Sequence, residues 1–194
     1  MAHVPQLTDP TDLEGLRQAL QDLDPDARLA PLGISQLAIS DDAHLRVKGF
    51  VADALASAGR HGRSIVILTD TTPIARQGQL LRGLVNRQLA DDFSTRVETL
   101  DDGHDKLHAD DRVLEMAAQA AAGADAIVTI GSGTMTDVGK IAAARNGGIP
   151  HVAIQTAASV DGFTDNVSVV LKSGVKRTVP SRWPTAVLAD VVTI

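Results

Sequence analysis

Three short apolar runs constrain the fold of this chain more than any other feature: residues 64–68 (Ser-Ile-Val-Ile-Leu), 126–130 (Ala-Ile-Val-Thr-Ile) and 151–155 (His-Val-Ala-Ile-Gln). Each is too short for a stable helix, rich in β-branched residues and apolar at successive positions, so both of its faces need cover. Strands of that kind belong to parallel sheets sandwiched between helices. Helical spacing fills the intervals, over residues 43–58, 74–90, 110–122 and 134–145, and residues 96–100 supply one more strand. Strands alternating with helices predict an α/β fold, an open and mainly parallel sheet with right-handed crossovers. After residue 155 the rhythm changes. Residues 167–171 and 175–179 flank Lys172, Ser173 and Gly174 as a C-terminal β-hairpin, and residues 185–189 form a last strand. Leu13, Leu16, Leu20 and Leu23, interrupted by Pro25 and Pro31, mark residues 1–35 as an N-terminal helix or tail ahead of an α/β domain over residues 36–194.

Composition narrows the class of function. A formal charge of −6 over 194 residues lacks the basic footprint of a nucleic-acid binder. The absence of cysteine excludes disulfides, thiolate metal sites and a cysteine nucleophile together. Residues 2–6 show no basic and apolar leader, and no apolar run reaches the ~20 residues of a membrane span, so the expected compartment is the cytoplasm, without a membrane partner. Only 2% of the residues are aromatic, which leaves Ala, Val, Leu and Ile to build the core.

The chemistry concentrates at the turn between the strand ending at Ile130 and the helix that follows, Gly131-Ser-Gly-Thr-Met-Thr-Asp137. Gly131 and Gly133 lack the β-carbon that would block a tight turn or a close ligand, and the next helix presents unpaired amides to an anion. Thr136 occupies the third glycine position of the dinucleotide fingerprint, so that fingerprint is incomplete. A second loop, residues 155–165, gathers Thr156, Ser159, Asp161 and Asp165. Thr156 and Ser159 can donate to a phosphate or ribose and Asp161 can accept from a substrate hydroxyl; Ser159 and Asp161 also fit the caps of a simple turn. Asp70, at the end of the first long strand, can accept both hydroxyls of an adenosine ribose and would repel a 2′-phosphate, or it can cap a turn ahead of Pro73. His104 and His108 lie among Asp101, Asp102, Asp105, Asp110 and Asp111, in a stretch that reads as a solvated acidic loop rather than a metal site. Lys172, Lys176, Arg177 and Arg182 form a basic cluster suited to a phosphorylated ligand or to a charged hairpin surface.

The glycine turn with Asp137 and Lys140 resembles the Gly-Gly-Gly-x-x-x-Asp-x-x-Lys turn of the iron-dependent alcohol dehydrogenase and dehydroquinate synthase-like superfamily. The stretches 155–164, 174–179 and 186–190 more narrowly resemble sn-glycerol-1-phosphate dehydrogenases, and the similarity runs from about Ile39 to Ile194. The resemblance implies a Rossmann-like nucleotide-binding domain, normally followed by a helical metal-binding domain, with a nicotinamide cofactor reducing dihydroxyacetone phosphate between them. Gly131, Ser132, Gly133 and Asp137 would face the pyrophosphate, Thr156 and Ser159 the cofactor, and Asp161 the substrate in a catalytic role. Asp70 would hold the ribose and favour NAD, with NADP as the alternative. Asp165 stands where the family often has a small hydroxyl residue beside the cofactor. The divalent metal of the family, zinc, nickel or iron, would be held by an aspartate and two histidines of the helical domain. The sequence ends before any of these, so no metal ligand is assigned and the chain alone is expected to be inactive. Two other readings stay open: a stand-alone module binding a nucleotide or phosphorylated metabolite, and a dehydroquinate synthase-like enzyme. Exposed strand edges offer a route to a homo-oligomer.

Overall fold

The computed structural model describes residues 8–158 and 162–193. Its centre is a six-stranded parallel sheet in the order β1-β10-β7-β6-β2-β5. The strands are β1 (Gln36–Ser40), β2 (Ser64–Asp70), β5 (Ser94–Leu100), β6 (Ala126–Gly131), β7 (His151–Gln155) and β10 (Ala186–Asp190). Every residue of β6 and β7 is buried, as the continuous apolar runs require. Helices α2 (Val47–Ser57) and α3 (Leu81–Ala90) cover one face, and α4 (Asp111–Ala120) and α5 (Gly133–Arg145) cover the other.

The period-two geometry of a strand divides β2 between these layers. Ile65 and Ile67 join the core beneath α2 and α3, while Val66 and Leu68 join the core beneath α4 and α5. A smaller apolar cluster of Leu13, Ile34 and Val187, with Trp183 and Phe163 against it, docks helix α1 (Leu13–Leu23) near the β10 side of the sheet. Within the N-terminal segment Leu13–Leu23 are helical, and Asp12 caps this helix by accepting from the Gly15 amide at 2.9 Å.

Two elements depart from the sequence expectation. The helix expected over residues 74–90 begins only at Leu81, because residues 75–80 form a miniature hairpin of β3 (Ala75–Arg76) and β4 (Gln79–Leu80). Its turn places Gln77 at φ 50° and Gly78 at φ 76°, so the two-residue loop reverses the chain before a helix can start. The edge strand β1, which pairs with β10 from Gln36 to Ser40, carries no run long enough to announce itself. The C-terminal hairpin is present as β8 (Val167–Lys172) and β9 (Val175–Pro180), turning through Ser173 and Gly174 with φ of 51° and 75°.

Close packing of α5 on the sheet depends on Gly139. A β-carbon there would stand 2.5 Å from both His151 Nε2 and Thr129 Cγ2, whereas one on Gly49 in α2 would meet nothing within 4 Å. Gly139→Ala is predicted to destabilise the fold by about 1–3 kcal/mol through overpacking, outweighing the better helix propensity of alanine. Gly49→Ala is predicted to stabilise it by about 0.5–1 kcal/mol. Urea denaturation of both variants tests the pair, and equal effects in the two would contradict this packing.

Candidate functional site

Strand order locates the site. From β2 the chain passes through α3 to β5 on one side, then returns through α4 to β6 on the other side of β2. Connections that leave in opposite directions open a crevice at the carboxyl ends of the two strands, and ligands of open α/β sheets bind there. Asp70 ends β2 and Gly131 ends β6, so both border this crevice. β7 lies beside β6 with Gln155 level with Gly131, and the Thr156 amide donates to the Gly131 carbonyl at 3.1 Å. The two loops singled out in the sequence thus start side by side on one rim.

A cleft of about 720 Å³ opens at this rim. Asp70, Thr72, Ser132, Thr134, Asp137 and Asp165 line it together with Lys106, His108 and Lys176. Ser132 is the N-cap residue of α5, but its side chain makes no capping hydrogen bond. Neither capping oxygen nor acidic residue occupies the first turn, which leaves the amide dipoles of that turn for an anion. Gly131 permits the bend because a β-carbon there would stand 2.4 Å from Met135 Cγ.

Beneath the cleft sits a lysine with no solvent exposure. Lys140 Nζ donates to Asp165 Oδ1 at 2.8 Å, to the Gly162 carbonyl at 2.6 Å and to the Val167 carbonyl, and it pairs with Asp137 Oδ1 at 3.1 Å. Asp137 Oδ2 accepts from the Val169 amide at 3.0 Å. The carboxylate of Asp137 therefore fastens α5 to β8 while forming part of the cleft wall. Burial raises its pKa, against the pull of the Lys140 charge. Asp165, read from the sequence as a residue beside the cofactor, is ion-paired with Lys140 and also accepts from the Val167 amide at 3.3 Å. Gly162 approaches so closely that an added β-carbon would lie 3.3 Å from Asp137 Oδ1. Ser159 and Asp161 lie outside the described residues.

Other side chains complete the support. Thr136, in place of a third glycine, accepts from Gln155 Nε2 at 2.6 Å and so joins α5 to β7. Asp70 Oδ1 accepts from the Thr72 amide at 2.9 Å, which caps the turn and leaves the residue on the cleft. Asp190 is fully buried and collects His44 Nδ1 at 2.6 Å, Arg76 Nε at 3.0 Å and the Val192 amide at 3.1 Å. Burial works against its charge, but the hydrogen bonds from His44 and Arg76 prevail and hold its pKa below the ordinary value. Arg76 also donates to the Asp41 carbonyl, so that it ties the miniature hairpin to the end of β1 as well as to that of β10. Nothing in the sequence singled out Arg76 or His44, whose roles depend on a partner more than 100 residues away. Within the basic cluster, Lys176 reaches the cleft, whereas Arg182 lines a separate cavity of about 330 Å³ with His151 and Trp183.

Comparison with known proteins places this architecture. Residues 47–194 match the iron-containing alcohol dehydrogenase family. The chain is 34% identical over 128 residues to a glycerol-1-phosphate dehydrogenase [NAD(P)+] of Halalkalibacterium halodurans, an alignment covering 66% of this chain and 31% of that protein. It is 29% identical over 163 residues to the enzyme of the same name from Bacillus licheniformis, covering 83% and 38% respectively. The alcohol dehydrogenase of Oenococcus oeni shares the fold, with a TM-score of 0.66 at 18% identity over 84% of this chain and 46% of that one. The chain belongs to the iron-containing alcohol dehydrogenase family. It spans about a third of the length of these curated relatives.

The packing of α5 on β6 and β7 has a pH signature. His151 is wholly buried, and that burial, reinforced by the Lys140 charge, lowers its pKa from 6.5 to about 3. The unfolded chain takes up this proton below pH 6.5 and the folded chain does not, so stability must fall as pH drops from 6.5 toward 3. Between pH 6.5 and 5.0 the loss from this group is about 2 kcal/mol. Urea unfolding of wild type and His151→Gln at the two pH values should show the larger decline in wild type; identical declines would contradict a neutral buried imidazole.

Proposed function

We propose that this chain is the nucleotide-binding domain of a glycerol-1-phosphate dehydrogenase-like oxidoreductase. The observation that carries the reading is the uncapped N-terminus of α5, set at the reversal of strand order and opening on the cleft. A dinucleotide fits this arrangement. The first-turn amides of α5 and the Ser132 and Thr134 hydroxyls receive the pyrophosphate, Asp70 receives the adenosine ribose, and Thr156 bounds the cofactor on the β7 side. NAD is the preferred cofactor because Asp70 would repel the 2′-phosphate of NADP.

The names of the relatives support a polyol phosphate as substrate, and Asp161 is the residue that the resemblance assigns to it. When bound, the nicotinamide supplies the hydride that would reduce dihydroxyacetone phosphate to sn-glycerol 1-phosphate. This chain's own share of that reaction is to bind and orient. Gly131 lets β6 turn tightly into α5 against Met135, and Lys140 and Asp165 hold the second loop against α5. Polarising the ketone calls for an electrophile such as a divalent metal. The Asp and two His that the resemblance assigns to that metal are not among these residues, so the chain alone is proposed to bind cofactor without turning it over.

Calorimetric titration of the 194-residue chain with NADH should give saturable binding with Kd at or below about 1 mM, equivalent to about −4 kcal/mol. Asp70→Ser should weaken NADH and narrow its advantage over NADPH by about tenfold, a change of about 1.4 kcal/mol. Absence of saturable NADH binding would overturn the reading. An unchanged preference in the variant would remove Asp70 from it.

A further inference from the structure

On the rim of the cleft, the connection from β5 to α4 folds three donor groups together. One oxygen of Asp102 and one ring nitrogen each of His104 and His108 all lie within 4.8 Å of one another. His108 Nδ1 faces Asp102 Oδ2 at 2.8 Å, and the two imidazoles stand edge to face with centroids 5.2 Å apart. The Asp102 side chain is only 4% exposed, although the loop around it is largely solvated. Its carboxylate also accepts from the His104 amide at 3.1 Å and the His108 amide at 3.0 Å. Gly103, at φ 82°, takes a left-handed conformation between Asp102 and His104.

We propose that Asp102, His104 and His108 form a binding site for a divalent transition metal, of the zinc class, on the rim of the cleft. Two imidazoles and one carboxylate make an oxygen and nitrogen donor set that suits such an ion. Metal–ligand bonds of about 2.0–2.1 Å place tetrahedral ligands roughly 3.4 Å apart. The Asp102–His108 pair must open slightly and the widest pair must close by up to roughly 1.4 Å, which are movements of exposed rings about their own torsions. The hydrogen bond now joining Asp102 and His108 already aligns a ring nitrogen with a carboxylate oxygen, and the metal takes the place of the shared proton. Hydrogen bonds from two backbone amides then orient the aspartate, as outer-shell partners do in metal sites.

Charge favours a cation here. Asp101, Asp105, Asp110 and Asp111 surround the cluster in sequence, against Lys106 and Arg112. Burial opposes the charge on Asp102, yet hydrogen bonds from the His108 ring and the two amides lower its pKa to about 2, so it is ionised at neutral pH. Three protein ligands leave further coordination positions to water or to an anion in the cleft that His108 lines. The site needs no nucleotide and stands independently of the cofactor reading.

The test is a titration of the metal-free 194-residue chain with Co²⁺, followed by visible absorption, and with Zn²⁺, followed by calorimetry. One equivalent should bind with micromolar Kd and give the d–d bands of nitrogen and oxygen coordination. His104→Ala and His108→Ala should each weaken binding at least tenfold, and His61→Ala, at an exposed histidine elsewhere, should leave it unchanged. Far-UV circular dichroism verifies that each variant is folded. Absence of stoichiometric binding at about 1 mM metal would overturn the site. Equal affinity in wild type and the His104→Ala/His108→Ala double variant would do the same.

Discussion

The ammonium group of Lys140 is the fixed point of this structure. It lies beneath the cleft without solvent contact and binds two carboxylates and two carbonyls drawn from α5 and from the loop that enters β8. Such a group is costly to desolvate, and replacing a buried ion set by apolar residues is often neutral for stability. Its value here is positional. Breaking a buried pair by removing one partner costs about 3–5 kcal/mol, so the loop through Gly162 and Asp165 is held in one arrangement against the helix whose first turn opens on the cleft.

That fastening gives Asp137 and Asp165 a structural role at the cleft wall. Both carboxylates lie at the cleft, where the sequence gives two acidic side chains next to an expected pyrophosphate. Their charge is largely committed to Lys140 and to amides of β8, which removes the conflict with an anionic ligand. Positive character at the cleft then comes from the first turn of α5 and from Lys106 and Lys176 on its wall. The hairpin β8–β9 has a matching role: Val169 is held by Asp137, and the Leu171 amide donates to the Ala109 carbonyl at 2.9 Å, so the hairpin spans from α5 to the segment before α4.

Much of this was legible in the sequence because the underlying signals are local. The runs at 64–68, 126–130 and 151–155 identify central strands directly, since burial on both faces leaves no room for polar alternation. What stayed hidden depends on contacts between distant residues. Gln77 and Gly78 form a turn inside what looks like helical spacing. Gly139 reads as a weak helix residue until its packing against His151 and Thr129 is known. Lys140 looks like a surface lysine in mid-helix, and its burial is decided by carbonyls more than twenty residues ahead. Asp102, His104 and His108 read as a solvated loop because sequence spacing does not show how a glycine with positive φ folds them together.

The central claim is that the first turn of α5 and the start of the loop after β7 form one anion site at the strand-order reversal. Backbone amide chemical shifts of the isotopically labelled chain, followed by NMR during titration with NAD⁺, address it residue by residue. The account predicts the largest perturbations at residues 132–136 and at Thr156, with little change around Arg182 and Trp183. Perturbations centred on that second cavity, with the α5 amides unmoved, would contradict it.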